Sequence, residues 1–510
     1  MAKKKLLISA ILCLTLAGVK AQVEVRTEAQ ASGAIGSHNP LWLNANKYGL
    51  SSLDKQNGYL RAGAFRHQQS DSAKAWDWSA GIDMAVAQGF TSRIVLQQAY
   101  GELRWHKAQL TIGSKQQPME LRDQELSSGT QTLGINARPL PMVRLSLPQY
   151  VEVPGTRGLL AVKGHIAYGI QTDDAWQKEF TMQQSKYTER SKLHTKAGYL
   201  RIGRQDKPFN VELGVEMACQ YGGTSYQYGL QGGPTENEDG LKGMMHALIP
   251  SGGETVETVY RNADGNHLGS WVLRANLDYE RWGISVYADH FFEDQSSMFF
   301  LDYDGYGSGE QWNEKQQSRY FLYYLKDIML GMELRLADNP FLNAFVLEYI
   351  YTKYQCGPVY HDHTQRISDH VCGIDNYYNH ALQPGWQHWG QVMGNPLYRS
   401  PLYNDDRHIK IENNRFWAWH FALSGNPIGL HYRFLCSLQE GFGTYDTPYT
   451  DPEMNLSTML EVGRRFPVSS PLAGWSVKGA VGLDAGDLLG HSLGLQITVG
   501  KVFNFKRSKR

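Results

Sequence analysis

HSLGLQITVGKVFNF, residues His491 to Phe505, alternates apolar and polar side chains over almost its whole length. Leu493, Leu495, Ile497, Val499, Phe503 and Phe505 share one face of an extended chain, and Ser492, Gly494, Gln496, Thr498 and Asn504 share the other. Strands of soluble domains usually run about five or six residues, whereas a strand crossing a bilayer at a tilt needs about nine to eleven. The alternation therefore predicts a transmembrane strand with one face in lipid and one in a polar lumen. Lys501 interrupts the apolar row near one end, where a long side chain can snorkel to the interface.

The same period recurs at Ala75 to Ala87, Phe209 to Tyr221, Trp271 to Tyr279, Ile428 to Leu438 and Trp475 to Ala485. With weaker segments, among them Val23 to Ala34, Thr132 to Arg138 and Leu159 to Ile170, the count reaches about eighteen, an even number that suits an antiparallel bacterial barrel. The fold class expected is all-β, a transmembrane antiparallel β-barrel in which His491 to Phe505 closes on Val23 to Ala34. Trp76, Trp271, Trp282, Trp475 and Phe503 are expected at the membrane interfaces. Cys219 and Cys436 fall on apolar faces and are expected to be unpaired.

Composition agrees. A chain of 510 residues with 52 Gly, 29 Tyr and 13 Trp and a mean hydropathy of -0.44 is too polar for a helical membrane protein. Fifty basic residues balance 50 acidic ones, so nothing recommends nucleic acid as a partner. Lys3, Lys4 and Lys5 precede the apolar run Leu6 to Ala17, and Val19 and Ala21 supply the small residues of a cleavage site before Gln22. We therefore expect a signal peptide over residues 1–21, with Cys13 discarded in it, and an outer-membrane barrel domain over residues 22–510. The most apolar later stretch, Phe321 to Met332, is broken by Lys326 and Asp327.

The connections expected at the periplasm are mostly tight. The others are long: Gln171 to Lys192, Gly222 to His267, Glu293 to Asp327, Gln355 to His408 and Glu440 to Asn455. Pro139 to Gly158, with four prolines, is an exception, read as a rigid periplasmic segment. Two loop stretches look helical: Pro40 to Lys47, capped by Asn39 and stopped at Gly49, and Leu241 to Leu248, between Asp239 and Pro250. Both are expected to fold inward as a plug.

The loop from Gln355 to His408 is dense in His361, Asp362, His363, His370, Tyr377, Tyr378, His380, Trp386, His388 and Trp389. A metal shell around His361 and His363 is one reading, but no HExxH or CxxC spacing supports it, and no metal or cofactor is expected. A second is carbohydrate binding, with Tyr377, Tyr378, Trp386 and Trp389 stacking on sugar faces and His361, Asp362, His363 and His388 bonding hydroxyls. The third is packing, in which these rings fill space and tie the loop to the lumen wall. Asp302, Tyr303, Asp304 and Tyr306 form a second candidate cluster; its DxDG pattern lacks the remaining calcium ligands, since Asn313 stands where the loop's last acid belongs. No GxSxG elbow points to a hydrolase, so no catalytic residue is assigned.

Several fragments resemble the Wzi family of capsule assembly proteins: LWLNANKYG at 41–49, GELRWHKAQLTIGSK at 101–115, DQELSSG at 123–129, NARPLPMVRLSLPQY at 136–150, GHIAYG at 164–169, EDQSSMFFLDYDGYG at 293–307, YTKYQCGPVYHDHT at 351–364, ISDHVCGIDNYYNH at 367–380 and GWQHWGQVMGNPLYRSPLYN at 385–404. The resemblance covers nearly the whole mature chain. It implies an outer-membrane lectin, not an enzyme, in which a plugged barrel binds exported capsular polysaccharide, or another exopolysaccharide, and helps hold it at the cell surface. Outer-membrane lipids are implied partners, and capsule export machinery is a further one that could touch Pro139 to Gly158. Two alternatives stand beside it: a porin-like channel lined by charges such as Asp83, Arg274, Glu212, Glu216 and Arg433, and a surface glycan hydrolase using loop carboxylates.

Cys356 and Cys372 depart from what the resemblance leads one to expect in that loop, and in an oxidising compartment they are a candidate disulfide. A thiol count on the denatured, non-reduced mature chain tests it. Two free thiols support the bridge, and four rule it out, since four of the 5 cysteines lie outside the signal peptide.

Overall fold

The computed structural model describes residues 23–68, 75–226, 233–250, 264–293, 300–303, 305–321, 326–363 and 368–505, with the backbone alone at 300–303, 318–321, 356–363 and 368–373. The expected signal peptide, residues 1–21, and the basic tail, residues 506–510, lie outside the described residues. Eighteen strands form one antiparallel sheet. In chain order they are β1 (Val23–Gly36), β2 (Gln56–Arg66), β3 (Trp76–Gln88), β4 (Ile94–Trp105), β5 (Ala108–Ser114), β6 (Pro141–Glu152), β7 (Leu160–Ile170), β8 (Lys192–Ile202) and β9 (Phe209–Tyr221). The second half comprises β10 (Asn266–Asp278), β11 (Trp282–Glu293), β12 (Ile328–Leu336), β13 (Ala344–Tyr351), β14 (Phe416–Gly425), β15 (His431–Gly443), β16 (Pro448–Arg465), β17 (Trp475–Gly486) and β18 (Ser492–Phe505).

Each strand pairs with the next, and β18 returns to β1 in an unbroken register from Val23 opposite Phe505 to Gly36 opposite Ser492. The sheet is thereby closed and has no edge, the condition for a sheet to cross lipid. On β18, Leu493, Leu495, Ile497 and Phe505 are exposed on the outer wall, while Ser492, Gly494 and Gln496 are buried toward the lumen. Trp76, Trp105, Phe209, Trp282, Trp475, Phe503 and Phe505 stand exposed at the strand ends next to the chain termini and short turns, which marks the periplasmic interface. Trp271, expected at an interface, instead lies mid-strand in β10 against the Phe292 ring. No described helix is long and apolar enough to cross a membrane, which says nothing against strands.

Three expectations need correction. The sixth strand is Pro141–Glu152, not Thr132 to Arg138, so the proline-rich stretch is barrel wall rather than a periplasmic segment. Pro148 is tolerated because it sits where the β6–β7 register shifts, at an irregularity that needs no ladder donor. Glu440 to Asn455 is no long loop either: β15 and β16, the latter 18 residues long, run on beyond the wall and turn over 444–447. Cys372 faces Val359 and Cys356 faces Ile374 in the backbone register of the hairpin Cys356–His363/Ser368–Ile374; their side chains lie outside the described residues.

Of the two helices expected in the plug, one is there. The helix α1 (Leu41–Asn44) is shorter than its sequence suggests but buried in the lumen, with Leu41 N donating to Asp484 Oδ2 of β17 at 2.8 Å. Asn39 does not cap it by side chain and bonds Ser52 O at 3.1 Å instead. After α2 (Asp174–Thr181), the helix α3 (Leu241–Leu248) packs on the outside of β8 and β9 rather than in the lumen. An arginine at Ile497, whose side chain is 60% exposed midway along β18, should cost about 2–4 kcal/mol, as charges at the lipid midplane do. Equilibrium unfolding from liposomes of the Ile497→Arg protein checks this, with Thr498→Arg on the lumen row expected to cost less.

Candidate functional site

The lumen row of the strands carries many charges, and a polar interior must satisfy them with protein or water. Loops 37–55, 115–140 and 375–415 enter the barrel and do so. Glu348 of β13, fully buried, accepts from Ser127 Oγ at 2.6 Å, Ser128 N at 2.9 Å and Tyr287 OH at 2.6 Å. Asp289 of β11 faces Arg122 Nη2 at 3.4 Å and Gln131 N at 3.3 Å, and His420 of β14 meets Leu126 O at 2.8 Å. The wall thus holds loop 115–140 by its backbone and side chains together.

The loops hold each other as well. Trp386 Nε1 donates to Thr132 O at 2.8 Å, Asn136 Nδ2 donates to Val392 O at 3.0 Å, and Tyr378 OH donates to Gln131 O. Rings form a continuous stack, Tyr378 to Tyr398 at 4.0 Å and Tyr398 to Phe416 of β14 at 4.9 Å, with Phe291 of β11 edge-on to Tyr377 at 4.7 Å. Tyr377, Tyr378 and Trp386 are fully buried here, so their faces are occupied by protein and not offered to a sugar. All three belong to the hydrophobic cluster that fills the lumen.

His388 is buried too, its Nδ1 2.9 Å from Arg138 O and its Nε2 3.2 Å from Thr172 N. Trp389 is half-buried, with Arg138 over its ring at 4.4 Å. Of the remaining sequence candidates, Asp302 and Tyr303 lie on the hairpin Phe300–Tyr303/Ser318–Phe321, whose side chains are not described, and Asp304 lies outside the described residues. Tyr306 pairs with Lys315 through a single β-bridge. His361, Asp362 and His363 occupy one strand of the Cys356–His363 hairpin, opposite His370, Asp369 and Ser368; their side chains are likewise outside the described residues.

Sequence reasoning missed the open surface above the plug. A cleft of 520 Å³ lies among loop 375–415, the segment after α2 and the turn 444–447, lined by Lys186, Asn376, Asn379, His380, His408, Lys410 and Asp446. Its floor is stiff: Asn376 Nδ2 donates to Asp446 Oδ2 at 2.8 Å, and Asn379 exchanges hydrogen bonds of 2.9 and 2.8 Å with the Ile411 backbone. His380 Nδ1 accepts from Leu382 N at 3.2 Å and Gln383 N at 3.3 Å, so its proton sits on Nε2. Burial, helped by the Lys186 charge, lowers the His380 pKa to about 4. A second cleft of 390 Å³, with Glu236, Glu238 and Asp264 among its lining residues, adjoins the first at His380 and Ala381. His380 alone could be suspected from the dense loop, because Lys186 and Asp446 come from connections far away in sequence.

A closed eighteen-stranded barrel with an aromatic girdle and a lumen occupied by its own loops is an outer-membrane β-barrel protein of Gram-negative type. The family model for capsule assembly protein Wzi matches residues 43–309, just over half of the chain, and the chain belongs to that family. Among solved structures it is similar to Wzi of Escherichia coli, described as an outer membrane protein involved in group 1 capsule assembly and a carbohydrate-binding β-barrel. That likeness has 13% identity and a TM-score of 0.53, covering 98% of this chain and 88% of that one. More distant are two Pseudomonas aeruginosa barrels: OprD (8% identity, TM-score 0.44, 95% of each chain) and OccK1 (9%, TM-score 0.47, 95% of this chain and 99% of that one). A search among curated protein sequences finds no match.

Two measurements check this site. Glu348→Ala removes an acceptor of three hydrogen bonds, each worth about 1.5–3 kcal/mol when charge-assisted. Planar-bilayer conductance, expected to be nearly silent for the native protein, should rise in the variant as loop 115–140 loosens. The lowered pKa of His380 means that the folded loop favours its neutral ring. Its stabilisation is therefore complete above the ordinary value of 6.5 and is lost as the pH falls toward about 4. Limited proteolysis of residues 376–385 should show that loss in the native protein and not in His380→Asn, which keeps an acceptor.

Proposed function

We propose that this protein is a surface lectin that binds capsular polysaccharide at the two joined clefts and supports its assembly and attachment at the outer membrane. The observation that carries the reading is the pair of contiguous extracellular clefts, 520 and 390 Å³, above a lumen filled by its own loops. Lys186 and Lys410 suit carboxylates and hydroxyls of a sugar chain, and Asn376, His408 and Asp446 supply further hydrogen-bonding groups. Lys186 is half-buried and ion-paired to no carboxylate among the described residues, so its charge is available to a ligand. The hairpins bearing Asp302, Tyr303, Tyr306, His361, Asp362 and His363 extend the same extracellular side, and we assign them to the outer part of the polymer-binding surface.

The function is binding without turnover, and residues 1–21 serve only to export residues 22–510. Fully buried loop side chains across the lumen favour this over a channel. The triple variant Lys186→Ala, His408→Ala, Lys410→Ala tests it with purified capsular polysaccharide. Binding about ten-fold weaker, or about 1.4 kcal/mol, is expected, together with loss of polymer retained on cells. Unchanged binding and retention by a variant that still shows the heat-dependent mobility of a folded barrel would overturn the reading.

A further inference from the structure

The outward row near the extracellular ends of β7 to β10 is rich in polar groups. It carries Tyr168, His194, Lys196, Cys219 and His267, polar groups that hydrocarbon would not tolerate unpaired. Helix α3 lies across them. Tyr168 OH donates to Met244 O at 3.1 Å, and Lys196 Nζ donates to Leu248 O. Leu248 O belongs to the last turn of α3, where carbonyls have no partner within the helix and a cation is favoured by the dipole.

The face of α3 against the wall carries Ala247, which is buried and packs on Cys219 and Tyr221, and the partly buried Met244, which packs on the same cluster. The opposite face carries Leu241 and Met245, four residues apart, and Ile249 follows directly after the last turn; they are 77%, 47% and 60% exposed. An apolar stripe that merely faced water would be hard to account for, but this one is continuous with the barrel's lipid belt. Ile170, two residues beyond Tyr168 in β7, points outward and is 51% exposed, and Ile35, near the extracellular end of β1, is 71% exposed. The wall is therefore still apolar at the height of α3.

We propose that α3 is an interfacial helix that shields the polar patch of β7–β10 and presents Leu241, Met245 and Ile249 to the acyl chains of the outer leaflet. Its two faces divide the work: the carbonyls of Met244 and Leu248 satisfy Tyr168 and Lys196, and its apolar stripe replaces the lipid-facing surface that the patch lacks. The proposal rests on the barrel and not on polysaccharide binding.

A photoreactive benzoylphenylalanine placed at Leu241 or at Met245 of the full chain, in liposomes of phosphatidylethanolamine and lipopolysaccharide, tests it. Arg190, 66% exposed in an extracellular loop, is the control position. Lipid adducts at Leu241 and Met245 are expected in yields about five-fold or more above the control, as for a helix lying in the interface. Equal yields at all three positions, or adducts to a second copy of the chain in place of lipid, would overturn the proposal. Where a label prevents the heat-dependent mobility of a folded barrel, Ile249 replaces that position and carries the same expectation.

Discussion

Pairing of the last strand with the first is the constraint on which everything else in this molecule depends. A bilayer core offers no water to an unpaired backbone N–H or C=O, so a sheet can stand there only when it has no edge. The β1–β18 ladder, 14 residues on each side, supplies that closure. Once closed, each strand has one row in lipid and one in the lumen, which is why the period of two runs through the chain from Val23 to Phe505.

Closure creates a second demand inside. The inward row includes Glu348, Asp289, Arg274, Glu333 and Glu461, whose isolation from water would be costly without partners. Wall residues meet part of it, as in the Arg274–Glu333 contact at 3.0 Å and the Arg433–Glu461 contact at 3.0 Å. The loops meet the rest by sending backbone groups and hydroxyls to the same carboxylates. Plugging and charge satisfaction are therefore one event, and the aromatic residues of loop 375–415 are the filler that makes it compact.

That double role makes the two uses of these residues look alike along the chain. Tyr, Trp, His and Asn in a long loop are what sugar recognition requires, and equally what a polar lumen needs in order to be packed and hydrogen-bonded. Nothing local separates Trp386, which is fully buried, from Trp389, which is only partly so and three residues away. The same limit applies to α3: its sequence has a cap, an apolar stripe and a stop, as a plug helix would, and only Tyr168 and Lys196 reveal that it lies outside. Thr132 to Arg138 alternates as a strand does while the true strand Pro141–Glu152 carries prolines, and a register shift at Pro148 hides from any propensity argument.

Alternation, strand length and turn length were legible along the chain, because lipid and lumen act on each residue through its own side chain and its place in a strand. They settled the class of fold, the count of strands and the closing pair. The plug, the cleft around His380 and the outer helix were not legible in that way. Each joins residues from separate connections, as Lys186, Asn376 and Asp446 meet in one cleft, and each depends on which of several polar surfaces a loop finds first satisfied. Those choices are made by contacts between distant parts of the chain, inside the barrel and on its outer wall, which exist only after the chain has folded.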